Sequence, residues 1–146
     1  MTTELWRGGI TTKITLNGYL KDKTNNETNV INTKAIKDKQ KITYYINHEK
    51  YTLKIISPTK LILNRNTKEL DLTLFFEVSK ILTSNYTIKE NNLSLGIDIR
   101  TNKIEINEKY IKISYTVIDS NNNYEYYIEM SEWYEYKKYD RAYYKM

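Results

Sequence analysis

The chain has 146 residues, a formal net charge of +5, no cysteine and a single histidine. Its length fits one domain that buries roughly 68–70% of the surface its unfolded chain exposes, so a core can form without disulfide staples. The missing cysteines exclude disulfides, thiolate metal sites and Cys nucleophiles, and His48 alone cannot anchor a multi-histidine metal site.

Strand-like segments come about every ten residues, each closed by polar turn residues. The first is Ile10 to Leu16, with Ile10, Ile14 and Leu16 in one register and Gly18 near its end. A polar loop, Lys21 to Thr28, leads into Val30 to Ile36; Asp38 to Lys41 reads as a hairpin turn before the aromatic segment Ile42 to His48. Tyr51 to Ser57 follows, and Pro58, which cannot donate to a ladder, belongs in the connection before Leu61 to Arg65.

The middle third carries the strongest signal. Leu70, Leu72, Leu74, Phe76 and Val78 alternate with other residues, as do Leu93, Leu95, Ile97 and Ile99, and then Ile111, Ile113, Tyr115 and Val117. A period of two marks a strand with one buried face, because successive side chains leave it on opposite sides. Leu82 to Ile88 lies between the first two rows, with a turn at Glu90 to Asn92, and Ile104 and Ile106 extend the second row or begin a short hairpin arm. After the turn-forming run Asp119 to Asn123 the last strand, Tyr124 to Trp133, alternates Tyr124, Tyr126, Ile128 and Met130.

No stretch before Ser131 has a 3.6-residue period, so no long helix is predicted there. The pattern predicts an all-β fold: a single antiparallel, up-and-down β-barrel of eight to ten strands, with a short C-terminal helix or extension. Closure removes the edges that an open sheet of this size would expose. The domain is read as residues 1–136, followed by a basic, Tyr-rich tail, 137–146.

In this order the segments resemble the YwiB-like proteins, a bacterial family of uncharacterised function with a calycin-type, lipocalin-like barrel. The resemblance spans about Ile10 to Trp133. It rests on the run from Ala35 to Tyr45, like the family's aromatic hairpin, on Leu61-Ile62-Leu63-Asn64-Arg65, like its strand ending in Arg, on Phe76 with its following turn, and on Tyr86, Leu95 to Ile104, and Ile111 to Tyr115. Family glycines are replaced by Lys34, by Asn66 or Thr67, and by Asn92; Asn tolerates a positive φ, whereas Lys34 departs from that need. The loop after Tyr86 is about two residues longer, and the tail from Tyr134 extends past the family pattern.

The candidate site residues are Arg65, Tyr86, Arg100 and Thr101, polar groups at strand ends within the part that carries the resemblance. Pointing inward, they would fix the polar end of an enclosed ligand; pointing outward, the arginines would form ion pairs on the rim and Tyr86 would satisfy a core hydrogen bond. Small inward residues would make room for a ligand, and Ser94, Gly96 and Ser114 are the visible concentration. His48 and Glu49 are adjacent, so on a strand they face opposite ways, and the pair reads as a solvated strand end. There is no Gly-x-Ser-x-Gly, no phosphate-binding glycine loop and no His-Glu-x-x-His. No catalytic residue, metal or cofactor is assigned.

The tail interleaves Trp133, Tyr136, Tyr139 and Tyr143 with Lys137 and other basic residues. Aromatics and cations together suit single-stranded nucleic acid, but spacings of three and four also suit a helix packed on the barrel or on a second subunit. The last ten residues hold four basic groups against one acidic, so little of the +5 remains for the barrel, which argues against nucleic-acid binding by an extended basic face. Lys (19), Ile (19), Asn (16) and Tyr (15) dominate, and since all four have A/T-rich codons, genome base composition is a sufficient explanation for much of the bias. No segment approaches the ~20 apolar residues of a membrane-spanning helix, and Met1 to Ile10 lacks the apolar region of a signal peptide, so a soluble cytoplasmic protein without membrane contact is expected. The leading expectation is a non-catalytic barrel, a monomer or homodimer, that binds a small apolar or amphipathic ligand. A filled barrel serving as a structural or protein-interaction module is the first alternative, and nucleic-acid binding through the tail the second.

Overall fold

The computed structural model describes residues 11–132, which form ten strands and no helix. In chain order these are β1 Thr11–Asp22, β2 Glu27–Asp38, β3 Lys41–Ile46, β4 Glu49–Ser57, β5 Lys60–Asn66, β6 Leu70–Glu77, β7 Ile81–Ile88, β8 Leu93–Ile106, β9 Tyr110–Val117 and β10 Asn122–Glu132. Every neighbour in sequence pairs antiparallel, and β1 closes the barrel against β10 from Ile14↔Glu132 to Asp22↔Tyr124. The all-β, up-and-down closed barrel read from the alternating rows is therefore the fold, with ten strands. The tail candidates Trp133, Tyr136, Lys137, Tyr139 and Tyr143, the C-terminal helix or extension and the boundary at residue 136 lie outside the described residues.

Pairing sorts the residues onto two faces. Leu61, Leu63, Leu74 and Phe76 meet across β5 and β6, while Ile113 faces Ile104 and Ile111 faces Ile106 across the next pair of long rows. Leu16, Ile42, Leu53, Leu61, Phe76, Ile99, Ile111, Ile113 and Ile128 are all essentially inaccessible, each contributing about 1.5–3 kcal/mol by leaving water. The Phe76 and Tyr115 rings pack at 4.9 Å between centroids. An eight-stranded interior is just filled by its side chains and diameter grows with strand number. Ten strands therefore leave space that this core occupies only in part.

Several strand limits differ from the sequence reading. The first strand continues through Gly18 to Asp22. Gly18 sits where β1 presses on β10, and a Cβ placed there would lie 1.8 Å from the Tyr127 carbonyl oxygen. The third strand ends at Ile46, and Asn47 and His48, both at positive φ (51° and 68°), form the two-residue turn into β4. Paired positive φ values suit the right-handed twist of a hairpin, so His48 is a turn residue and Glu49 already belongs to β4. Lys34 lies in regular β2 without a positive φ, whereas Asn92 has one, 54°. Ile104 and Ile106 extend β8, past an irregularity between Thr101 and Lys103.

Candidate functional site

The barrel has unlike ends. One carries the β2–β3, β4–β5, β6–β7 and β8–β9 turns and is closed by the apolar core. At the other, a cavity of about 460 Å³ opens among the ends of β1 to β6, β9 and β10. It exists because the β2–β3 ladder has only four pairs and stops at Ala35↔Tyr44. Beyond that point the strands diverge, with the Thr33 hydroxyl donating to the Tyr45 carbonyl at 3.2 Å, and Asn29, Val30 and Ile31 line one lip.

Leu20, Ile31, Ile46, Leu63, Leu72 and Leu74 form the apolar wall. Period-two placement sends each of them inward. Tyrosines supply the remaining surface. Tyr44 and Tyr126 join their hydroxyls at 2.7 Å in a buried pair, and the Tyr44 ring stacks on Tyr51 with centroids 4.9 Å apart and planes 2° from parallel. Tyr115 stacks on Tyr124 at 5.3 Å. The Tyr115 ring is buried, and its hydroxyl makes no hydrogen bond among the described residues. Thr101 Oγ1, and not the Tyr115 hydroxyl, is the sealed polar atom without a partner among the described residues, so the Tyr115 hydroxyl keeps access to the cavity that it lines.

Arg65 stands at the cavity's polar edge. Its inner-face neighbours in the ladder are Tyr51 and Leu72. Its Nε and Nη2 donate to Glu49 Oε1 at 3.0 and 2.8 Å, and the Tyr51 hydroxyl donates to the same oxygen at 3.2 Å. Both charged side chains are partly exposed, so the pair is worth ~0–1 kcal/mol to the fold. It nonetheless fixes where the guanidinium lies. Burial pushes the Tyr44, Tyr115 and Tyr126 phenols above their usual range, and Tyr51 is raised for the same leading reason. These four therefore stay protonated donors at neutral pH.

The four candidates from the sequence do not meet. Arg65 lines the cavity beside Glu49. Tyr86 faces inward, in line with Leu72 and Leu95, but lies outside the cavity lining. Arg100 is exposed, donating to Asn102 at 3.3 Å, because its position on β8 has outward parity. Thr101 is inward and 1% exposed, but it sits at the filled end, and its Oγ1 has no hydrogen-bond partner among the described residues. Nor do small residues make the cavity: Ser94 and Gly96 are exposed, and Ser114 faces Glu125 and Lys103 across the ladders on the outer register. The tyrosines escaped the sequence reading because inward Tyr looks like core, and Glu49, read there with His48 as a solvated strand end, instead belongs to β4 and bonds Arg65. Their signal is that Tyr44, Tyr51, Tyr115 and Tyr126 all fall near one barrel end, which emerges only once the register between strands is known.

Among the described residues no group of His, Asp and Glu could hold a metal ion, and no helix is long and apolar enough to cross a membrane. The chain matches no protein-family model and no curated protein. Its structure matches the crystal structure of the ywiB protein from Bacillus subtilis with a TM-score of 0.67 and 19% sequence identity, over 85% of this chain and 94% of that one. At that identity the likeness establishes a shared fold, and the YwiB-like resemblance carried by the order of the segments holds at that level.

Proposed function

We propose that this protein is a non-catalytic binding protein that holds one small amphipathic molecule in the open end of its barrel. The observation that carries the reading is the cavity itself. Ligand sites are commonly about 300–1,000 Å³, mostly apolar and furnished with a few placed polar groups, and this one has about 460 Å³ with that division of lining. The apolar body of the ligand lies against Leu63, Leu72 and Leu74. Its polar end meets Arg65, Glu49 and the tyrosine hydroxyls. Arg65 and Glu49 cancel in charge, so the head is neutral or zwitterionic, since a lone ion would give up its hydration without a net counter-charge.

The assignment to binding rather than turnover rests on the chemistry of the lining. The phenols are held protonated, Glu49 is occupied by Arg65 and Tyr51, and His48 belongs to the turn. The test is a fluorescence titration of the full chain with N-phenyl-1-naphthylamine, an uncharged amphipathic probe. One saturable site per chain is expected, and a linear response without saturation overturns the proposal.

A further inference from the structure

Two stretches of the barrel wall pair on one side only among the described residues. On β2, residues 27–34 pair with β1 but lie beyond the end of the β3 ladder. On β8, residues 93–97 pair with β7 only, because β9 joins β8 from Ile99↔Val117 onward and turns away once the Ile118 N–H has donated to the Asp98 carbonyl at 2.9 Å. A strand edge presents a row of unfilled N–H and C=O groups and usually carries charges that discourage pairing with another chain. Residues 27–34 of β2 have Glu27 and Lys34 for this purpose and border the cavity. The β8 stretch, Leu93-Ser94-Leu95-Gly96-Ile97, has no charge and no proline, and Leu93 and Leu95 are each about half exposed.

We propose that residues 93–97 of β8 pair antiparallel with the same residues of a second copy, forming a two-fold dimer through a continuous sheet. The direction of the backbone groups follows from Asp98. Its carbonyl points to the β9 side, and groups alternate along a strand, so the N–H and C=O of Gly96 and Ser94 point into the vacant position. Pairing Ser94 of each copy with Gly96 of the other makes four backbone hydrogen bonds. Leu95 then faces Leu95 across the two-fold axis and Leu93 faces Ile97, covering apolar surface that is exposed in one copy. Among the described residues the outer face carries only the small Ser94 and Gly96 there, and a Cβ at Gly96 would already lie 2.9 Å from Thr83 Cγ2. In the same register Asp98 is set against Asn92, and Arg100 lies toward Glu90, so no like charges are opposed.

Sedimentation velocity of the full chain tests this. Wild type is expected at twice the mass of one chain. Leu95→Lys and Leu95→Glu each raise the dissociation constant at least about tenfold, because like charges then oppose each other on the axis, and an equimolar mixture of the two restores the dimer. Leu95 is half exposed, so both variants keep the far-ultraviolet circular dichroism of wild type. Hydrogen exchange at the Ser94 and Gly96 amides slows with rising protein concentration. A wild-type monomer at every concentration, dimers that persist in both variants, or a mixture that stays monomeric overturns the proposal. So do amides at 94 and 96 that are slow in the monomer, which would mean that another segment of the chain occupies the edge.

Discussion

The buried hydroxyl pair at the floor of the cavity gives a quantitative test of how the site is built. Tyr44 and Tyr126 are 1% and 2% exposed and hold each other's oxygens at 2.7 Å. Replacing either by Phe keeps the ring, including the Tyr44 stack on Tyr51, and strands the remaining hydroxyl. The stranded group loses its partner without regaining bulk water, so each single substitution costs about 1–3 kcal/mol. Replacing both removes both oxygens, and the loss falls to the net worth of one hydrogen bond, about 0.5–1.5 kcal/mol. The cycle therefore predicts a favourable coupling of roughly 1.5–4.5 kcal/mol between residues in direct contact. Urea unfolding of the four proteins, followed by far-ultraviolet circular dichroism and analysed as two-state with a common m-value, measures it. Singles that cost under about 0.5 kcal/mol, or a double equal to the sum of the singles, refute the reasoning and place water against both hydroxyls.

Thr101→Val removes a buried hydroxyl without a partner and keeps the side-chain shape, so it should be neutral or stabilise by about 1 kcal/mol in the same assay; destabilisation of that size contradicts the placement. Gly18→Ala puts a methyl group into the Tyr127 carbonyl, and relief requires moving a strand, so a loss of about 1–3 kcal/mol or more is expected, while an unchanged midpoint refutes the close approach. Alkaline stability follows from the phenols. Tyr19, whose hydroxyl donates to Glu125, is raised to about 12, and burial raises Tyr44, Tyr115 and Tyr126 above the usual 10.0 of a phenol. A folded pKa above the unfolded one contributes stability that is fully present below pH 10 and lost as pH climbs toward the folded value. Thermal midpoints should thus fall above about pH 10, with absorbance at 295 nm showing these tyrosines ionising only on unfolding; ionisation of all 15 tyrosines near pH 10 in the folded state contradicts this.

The alternating rows carried the fold because a period of two reports which face is buried without any knowledge of neighbours. The rows of β6 and β9 show this directly: Leu72, Leu74 and Phe76 share the inner face, as do Ile111, Ile113 and Tyr115. Arg65 was legible on the same basis, four residues beyond Leu61 and two beyond Leu63 in the same parity. Parity cannot say how far along the barrel a residue lies. Leu93 and Leu95 share the inner register with Ile97 and Ile99, yet the hairpin carries them past the end of β9, where among the described residues they are left about half exposed. Thr101 fails the same way, inward but at the filled end. The cavity was hidden because it depends on where the β2–β3 ladder stops, a relation between strands that neither strand encodes alone. The turn at His48 was hidden because a histidine at positive φ has no compositional signature.

The central claim is that the space walled by Leu63, Leu72 and Leu74 receives a ligand, and a variant that fills it tests this most directly. Leu72→Trp adds bulk to the lining at a half-buried position beside Arg65. Titrated with N-phenyl-1-naphthylamine beside wild type, it should weaken binding at least about tenfold while its thermal midpoint and far-ultraviolet spectrum stay those of wild type. Equal affinity in the two proteins, with the variant folded, would place the probe elsewhere and contradict the account.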